Sequence, residues 1–297
     1  MMRKNTIVSS LLLFLAACIW GVAFVAQSIG MDYMGPFTFN GARFLIGGTV
    51  LLPIIFMRRR QKVRISGMAL KGGICCGLAI CAASLFQQTG IQYTTVGKAG
   101  FITTLYIILV PLSGLFLGRK VAGRVWAAAA AAAVGMYLLC ITEGFSVGKG
   151  DAFVFICAVL FTVHILVIDY FSPKADGVAI SCIQFYTAGI LCTIGAFLVE
   201  KPSWEQLAQG IVPVLYAGVM SCGVAYTLQI IGQKELEPSV ASLILSMESV
   251  VSVLAGWLIL GQALTARELE GCAIVFAAVI FVQLRSAGTE DNKKGAE

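Results

Sequence analysis

Placing a charge near the centre of a bilayer costs about 2.5 to 3.5 kcal/mol even on an insertion scale that allows snorkelling. The few ionisable groups that interrupt long apolar runs in this sequence are therefore the first place to look for chemistry. Glu248 lies nine residues into the 22-residue run Ser239 to Leu260, almost at its middle. A carboxylate there can contact a cationic group or take up a proton; the alternative is a link hydrogen-bonded between helices. Arg43 lies six residues inside the run Phe37 to Met57, about 9 Å deep at 1.5 Å per residue. At that depth it can snorkel to headgroups or turn inward to bind a carboxylate, and Asn40 at i−3 on the same face favours the inward direction. His164 is the single histidine. A metal centre built from several histidines is thereby excluded, and two readings stand: a hydrogen-bonded packing residue, or a cavity imidazole that exchanges protons.

Uncharged groups at similar depth extend the set. Tyr106 offers an apolar ring with a hydroxyl, and Gln184 offers an amide. Trp20, two turns before Gln27, is either an aromatic wall or an interface anchor. Trp20, Asn40, Arg43, Tyr106, His164, Gln184 and Glu248 form the candidate substrate-binding set, with Tyr186, Tyr226 and Gln229 as weaker candidates. No catalytic, cofactor-binding or metal-ligating pattern accompanies them. The ten cysteines all fall inside apolar runs, where they behave as small apolar residues.

What must position these groups follows from composition. Of 297 residues, 59% are hydrophobic and 12% charged, about half the roughly 25% charge of a soluble domain, and mean hydropathy is +0.90. A soluble enzyme and a disordered chain are both excluded. Continuous apolar runs also argue against an outer-membrane-type barrel, whose strands alternate. Runs long enough to cross about 30 Å of hydrocarbon fall at 7–27, 37–57, 72–91, 99–118, 125–142, 152–168, 178–199, 210–232, 239–260 and 268–284. Ten helices are expected, the last the weakest because Glu268 and Glu270 must sit at its mouth. Pro53, Pro111 and Pro213 fall inside runs and can bend them. Gly73 with Gly77, and Gly114 with Gly118, let helices approach closely.

With the N-terminus inside, 16 Lys and Arg fall on the cytoplasmic side and 4 outside, so both termini are expected in the cytoplasm of a cell membrane. The +6 net charge is then an orientation signal, and no nucleic-acid partner is implied. Leu15-Ala16-Ala17-Cys18 imitates a lipoprotein cleavage box. The apolar run continues past it to Gln27, so an uncleaved first helix is expected.

An internal repeat organises the chain. A shift of 141 to 143 residues lays Trp20 on Phe161, Arg43-Phe44 on Gln184-Phe185, Gly48 on Gly189, Gly90 on Gly232, Ala99 on Ala241, Tyr106 on Glu248 and Leu117-Gly118 on Leu260-Gly261. Each half holds five runs, an odd number, so the halves enter the bilayer from opposite sides. Inverted halves with a midplane site between them are a transporter architecture. Residues 1–145 and 146–285 are the expected repeats, with 286–297 a polar cytoplasmic tail.

Several segments resemble a known family: Ala17 to Phe24, Phe39 to Phe44, Tyr93 to Thr104 leading into Pro111, Ala241 to Glu248, and Gly256 to Gly261. Together with the run count and the repeat, they make the chain similar to the drug/metabolite transporter superfamily, EamA-like branch, over residues 5 to 285. It departs where members often have Glu-Pro and this chain has Glu248-Ser249, and where a Glu often follows the final Gly and this chain has Gln262. The resemblance implies an all-α membrane protein of ten helices in two inverted five-helix repeats. It also implies a secondary transporter of a small metabolite, an amino acid, metabolite or drug-like compound, working by alternating access. Efflux is the commoner direction, with protons the candidate coupling ion. Uptake by the same fold, a passive pore and a membrane-embedded enzyme are the alternatives. The expected assembly is a monomer or weak homodimer without cofactors. Primary pumping is not expected, because no phosphate-binding Gly-Lys-Ser/Thr loop occurs.

Overall fold

A computed structural model describes residues 2–60, 65–94, 96–140, 148–261 and 265–294. Gln262, together with Lys62 and Arg64 of the basic stretch after the second run, lies outside the described residues. All described elements are helical. In chain order they are α1 (Met2–Gly30), α2 (Pro36–Arg60), α3 (Gly67–Ile91), α4 (Val96–Thr103), α5 (Tyr106–Phe116), α6 (Gly123–Cys140), α7 (Lys149–Phe171) and α8 (Gly177–Val199). Then come α9 (Trp204–Gln209), α10 (Ile211–Leu215), a π-helical segment (Tyr216–Tyr226), α11 (Thr227–Gln233), α12 (Pro238–Leu245), α13 (Met247–Leu260) and α14 (Ala266–Lys294). Eight segments are long and apolar enough to cross a bilayer, and two shorter apolar helices, Gly123–Leu138 and Leu269–Phe281, take the places of the fifth and tenth expected crossings. The protein is an all-helical membrane protein.

Three crossings are not simple α-helices. The fourth breaks between α4 and α5 and the ninth between α12 and α13, at matched positions. Leu105 (φ −58°, ψ −11°) and Ser246 (φ −60°, ψ −14°) open the helical ladder in the same way. Local i−3 bonds, Leu105 N–H to the Ile102 carbonyl (3.2 Å) and Ser249 N–H to the Ser246 carbonyl (3.1 Å), replace the regular pattern. Hydroxyls supply further donors for the nearby carbonyls, as a break at membrane depth requires. Thr104 Oγ1 donates to the Gly100 carbonyl (2.9 Å), Ser246 Oγ to Leu243 (2.7 Å) and Ser249 Oγ to Ser246 (2.8 Å). The third irregular crossing is the eighth, where α10, the π segment and α11 run on without interruption; its counterpart α3 is α-helical throughout.

The repeats pack by an internal two-fold. A Cβ on Gly77 would lie 2.6 Å from Thr187 Cβ and 2.9 Å from the Gln184 carbonyl oxygen. One on Gly218 would lie 2.7 Å from Ile46 Cγ2 and 3.1 Å from the Arg43 carbonyl oxygen. These residues match one to one at a shift of 141. Likewise Gly90 rests on Val154 and the Gly150 carbonyl, and Gly232 on Leu13 and the Ser9 carbonyl. The matched helices α2 and α8 meet with Phe37 against Gly195, Gly41 against Thr193, Leu45 against Gly189 and Gly48 against Tyr186. One number rises as the other falls, so these two helices are antiparallel, which is the inverted orientation of the repeats seen directly. At the start of α2, Glu200 at the end of α8 accepts from Phe37 N–H (2.8 Å), Thr38 N–H (2.8 Å) and Thr38 Oγ1 (2.7 Å), so one repeat caps a helix of the other.

The same contacts account for the π segment. Gly77 and Gly90 are 13 residues apart in α3, whereas their counterparts Gly218 and Gly232 are 14 apart. Both glycines of each pair are pinned against the opposite repeat, so the eighth crossing must hold one surplus residue in the same height. A π-helix, bonding i to i+5, is how a helix absorbs an insertion.

Candidate functional site

A narrow cavity of about 30 Å³ lies between the repeats, lined by Trp20, Phe24, Gln27, Arg43, Gln87, Thr103, Tyr106, Phe161, Ile165, Ser221, Tyr226, Gln229, Leu245 and Glu248. Ten of these fourteen form five repeat-related pairs: Trp20 with Phe161, Phe24 with Ile165, Gln87 with Gln229, Thr103 with Leu245, and Tyr106 with Glu248. The cavity is therefore centred on the internal two-fold. At its heart Tyr106 Oη donates to Glu248 Oε1 at 2.9 Å. Tyr106 is the first residue of α5 and Glu248 lies in the first turn of α13, so each sits just past its helix break. The free N–H groups of α13 begin there, and the positive end of a helix dipole favours a carboxylate.

Four residues break the symmetry. Gln27 and Arg43 come from the first repeat, Ser221 and Tyr226 from the second. Arg43 is only 2% exposed, so it turns inward rather than snorkelling. Its Nε donates to Asn40 Oδ1 (2.8 Å) and its Nη1 to Gln27 Oε1 (3.1 Å). The guanidinium carbon also lies 4.8 Å from the Phe44 ring centroid. Asn40 Nδ2 donates to the Ser84 carbonyl (3.2 Å), and Gln88 Nε2 to the Gln27 carbonyl (3.0 Å), so α3 braces both supports. Arg43 Nη2 and Gln229 Oε1 are buried without a hydrogen-bond partner. They are the donor and acceptor that the cavity leaves open.

Of the residues singled out from sequence, Trp20, Arg43, Tyr106 and Glu248 line the cavity, as do the weaker candidates Tyr226 and Gln229. Trp20 packs on Tyr226 with ring centroids 4.5 Å apart and its indole N–H donates to the Ser221 carbonyl in the π segment (3.4 Å). Asn40 stands behind Arg43 and sets its direction. His164 and Gln184 do not line the cavity: they are fully buried and bonded to each other, Nε2 to Oε1, at 3.1 Å. Tyr226 accounts for this, since its ring lies 5.8 Å from that of His164 and 4.5 Å from Trp20 on the cavity side. The repeat-related residue is Ser84, whose small side chain leaves Arg43 open to the cavity. Tyr186 instead contacts Gly48 at the α2–α8 interface. Sequence reasoning passed over Gln87, Thr103 and Ser221. Gln87, an amide inside an apolar run and the repeat partner of Gln229, carried a usable signal; Ser221 did not. Among the described residues no group of three or more His, Cys, Asp or Glu side chains could hold a metal ion.

The model of the EamA-like transporter family matches the chain twice, over residues 8–141 and 148–284. An uncharacterized transporter of Archaeoglobus fulgidus is 31% identical over 280 residues, which is 92% of this chain and 85% of that one. The uncharacterized inner membrane transporter YedA of Escherichia coli K12 is 22% identical over 92% of this chain and 89% of its own. A protein of known crystal structure superposes with a TM-score of 0.79 at 19% identity, covering 95% of this chain and 98% of that one. At that identity the likeness speaks for the fold alone.

Proposed function

The chain belongs to the EamA-like transporter family, and from that premise we propose that it is a secondary transporter of a small zwitterionic metabolite, of amino-acid type, working by alternating access. One observation carries the reading: the Tyr106–Glu248 bond closes a cavity on the internal two-fold, where two broken helices meet. Discontinuous helices at the midplane between inverted repeats are where such carriers bind substrate. Glu248 and Gln229 Oε1 accept from a substrate ammonium group, and Arg43 Nη2 donates to its carboxylate. Trp20, Phe24, Phe161 and Tyr226 enclose the apolar part. His164 and Gln184 support this wall from behind.

Efflux from the cytoplasm, with Glu248 alternately holding substrate and a proton, is the direction we favour; uptake by the same site is the alternative. The Lys and Arg distribution supports cytoplasmic termini in a cell membrane. Residues 1–145 and 146–285 are the two working halves, and a monomer or weak homodimer suffices because the site lies within one chain. Purified protein in liposomes tests the proposal. Saturable uptake of a labelled amino acid, accelerated by unlabelled amino acid inside, is expected from a carrier. Flux linear in concentration indicates a pore and overturns the reading.

A further inference from the structure

Among the described residues Arg43 makes no direct ion pair with a carboxylate. Its two bonded partners, Asn40 and Gln27, are neutral amides, its other near neighbours are the Phe39 and Phe44 rings, and among the described residues no carboxylate bonds it. The Glu248 carboxylate shares the cavity but is engaged by Tyr106. The residue is buried, and Nη2 has no partner. A buried cation in this state is unfavourable unless something compensates it. Asn40 and Gln27 hold the guanidinium through Nε and Nη1, and Arg43 is one of the residues lining the cavity, so the cavity is where a compensating group can enter.

We infer that, in the substrate-free protein, Arg43 Nη2 holds a small monovalent anion of the chloride or acetate class, which a substrate carboxylate displaces on binding. Gln27 and Gln87 supply polar walls beside it, and the Phe44 face covers the guanidinium on one side. The site is a property of Arg43 and its supports. Only the displacement by a substrate carboxylate rests on the transport reading.

The test uses full-length protein purified in detergent with HEPES, whose anion is a sulfonate rather than a carboxylate or halide, as the sole anion. Chloride-36 binding is measured at constant ionic strength, with thermal midpoints in parallel. Expected are saturable binding approaching one chloride per chain, competition by acetate, and a midpoint that rises with occupancy. Arg43→Gln abolishes the binding, Arg43→Lys retains it more weakly, and Glu248→Gln retains it, tightened if anything by removal of a negative charge. Wild-type protein that binds no saturable chloride overturns the inference without need of any variant. So does binding that survives Arg43→Gln or disappears in Glu248→Gln. If Arg43→Gln does not fold, Arg43→Lys decides through its affinity. Chloride binding without counterflow leaves the anion site standing and removes the carrier reading; counterflow without chloride binding does the reverse.

Discussion

Tyr106 and Glu248 hold the same position in the two repeats and are hydrogen-bonded to each other at 2.9 Å. A residue bonded to its own repeat partner must lie on the two-fold, and the duplicated position has diverged into a donor and an acceptor. Any motion that exchanges the conformations of the two halves has to pass through this bond.

Glu248→Gln keeps an acceptor for Tyr106 but cannot exchange a proton. It is expected to fold, with a thermal midpoint close to wild type, and to lose counterflow or its dependence on pH. Liposome counterflow between pH 6 and pH 8 is the measurement; wild-type rates and pH dependence in the variant would remove Glu248 from the mechanism.

Tyr106→Phe leaves a buried carboxylate oxygen without its donor, at a cost of about 1 to 3 kcal/mol. In a double-mutant cycle with Glu248→Met, which removes the acceptor, the two effects should be coupled by at least about 0.5 kcal/mol. Strict additivity in chemical denaturation would mean that the bond contributes nothing.

Asn40 directs the Arg43 guanidinium without touching the cavity. Asn40→Ala should therefore weaken half-saturation by roughly tenfold, about 1.4 kcal/mol, while leaving maximal counterflow largely intact. A fall in the maximal rate at unchanged half-saturation would show that Asn40 acts on the conformational change instead.

Gly77 and Gly218 make matched contacts, but only Gly218 rests on the carbonyl of Arg43. Alanine at either should destabilise by about 1 to 3 kcal/mol through overpacking. Only Gly218→Ala should also disturb chloride or substrate binding. Gly67→Ala, where nothing lies within 4 Å, is the neutral control.

Much of this was legible in the sequence because membrane depth makes polarity conspicuous. Glu248, Arg43, Tyr106 and Trp20 stand out against their runs, and the shift of about 142 pairs Tyr106 with Glu248 in the sequence itself. The helix breaks were not legible. The usual mark is a proline after the glutamate, and this chain has Ser249 there; hydroxyls bonded to carbonyls open the ladder without one. His164 and Gln184 look as deep and as polar as Arg43, and only the bulk of Tyr226 between helices puts them behind the wall. The rise of the shift from 141 at Gly77/Gly218 to 142 at Gly90/Gly232 was visible, but its meaning needed the knowledge that both ends are pinned.

That surplus residue means that the halves of the molecule can never trade places perfectly. In the alternating access proposed above, the π-wound wall with its Ser221 carbonyl would have no equivalent on α3 when the halves exchange conformations. The two resting forms must then differ in energy and in grip, and the carrier should release its cargo more readily to one compartment than to the other. Under that proposal, an asymmetry of unloading would lie in the length of a single helix, independent of any ion gradient.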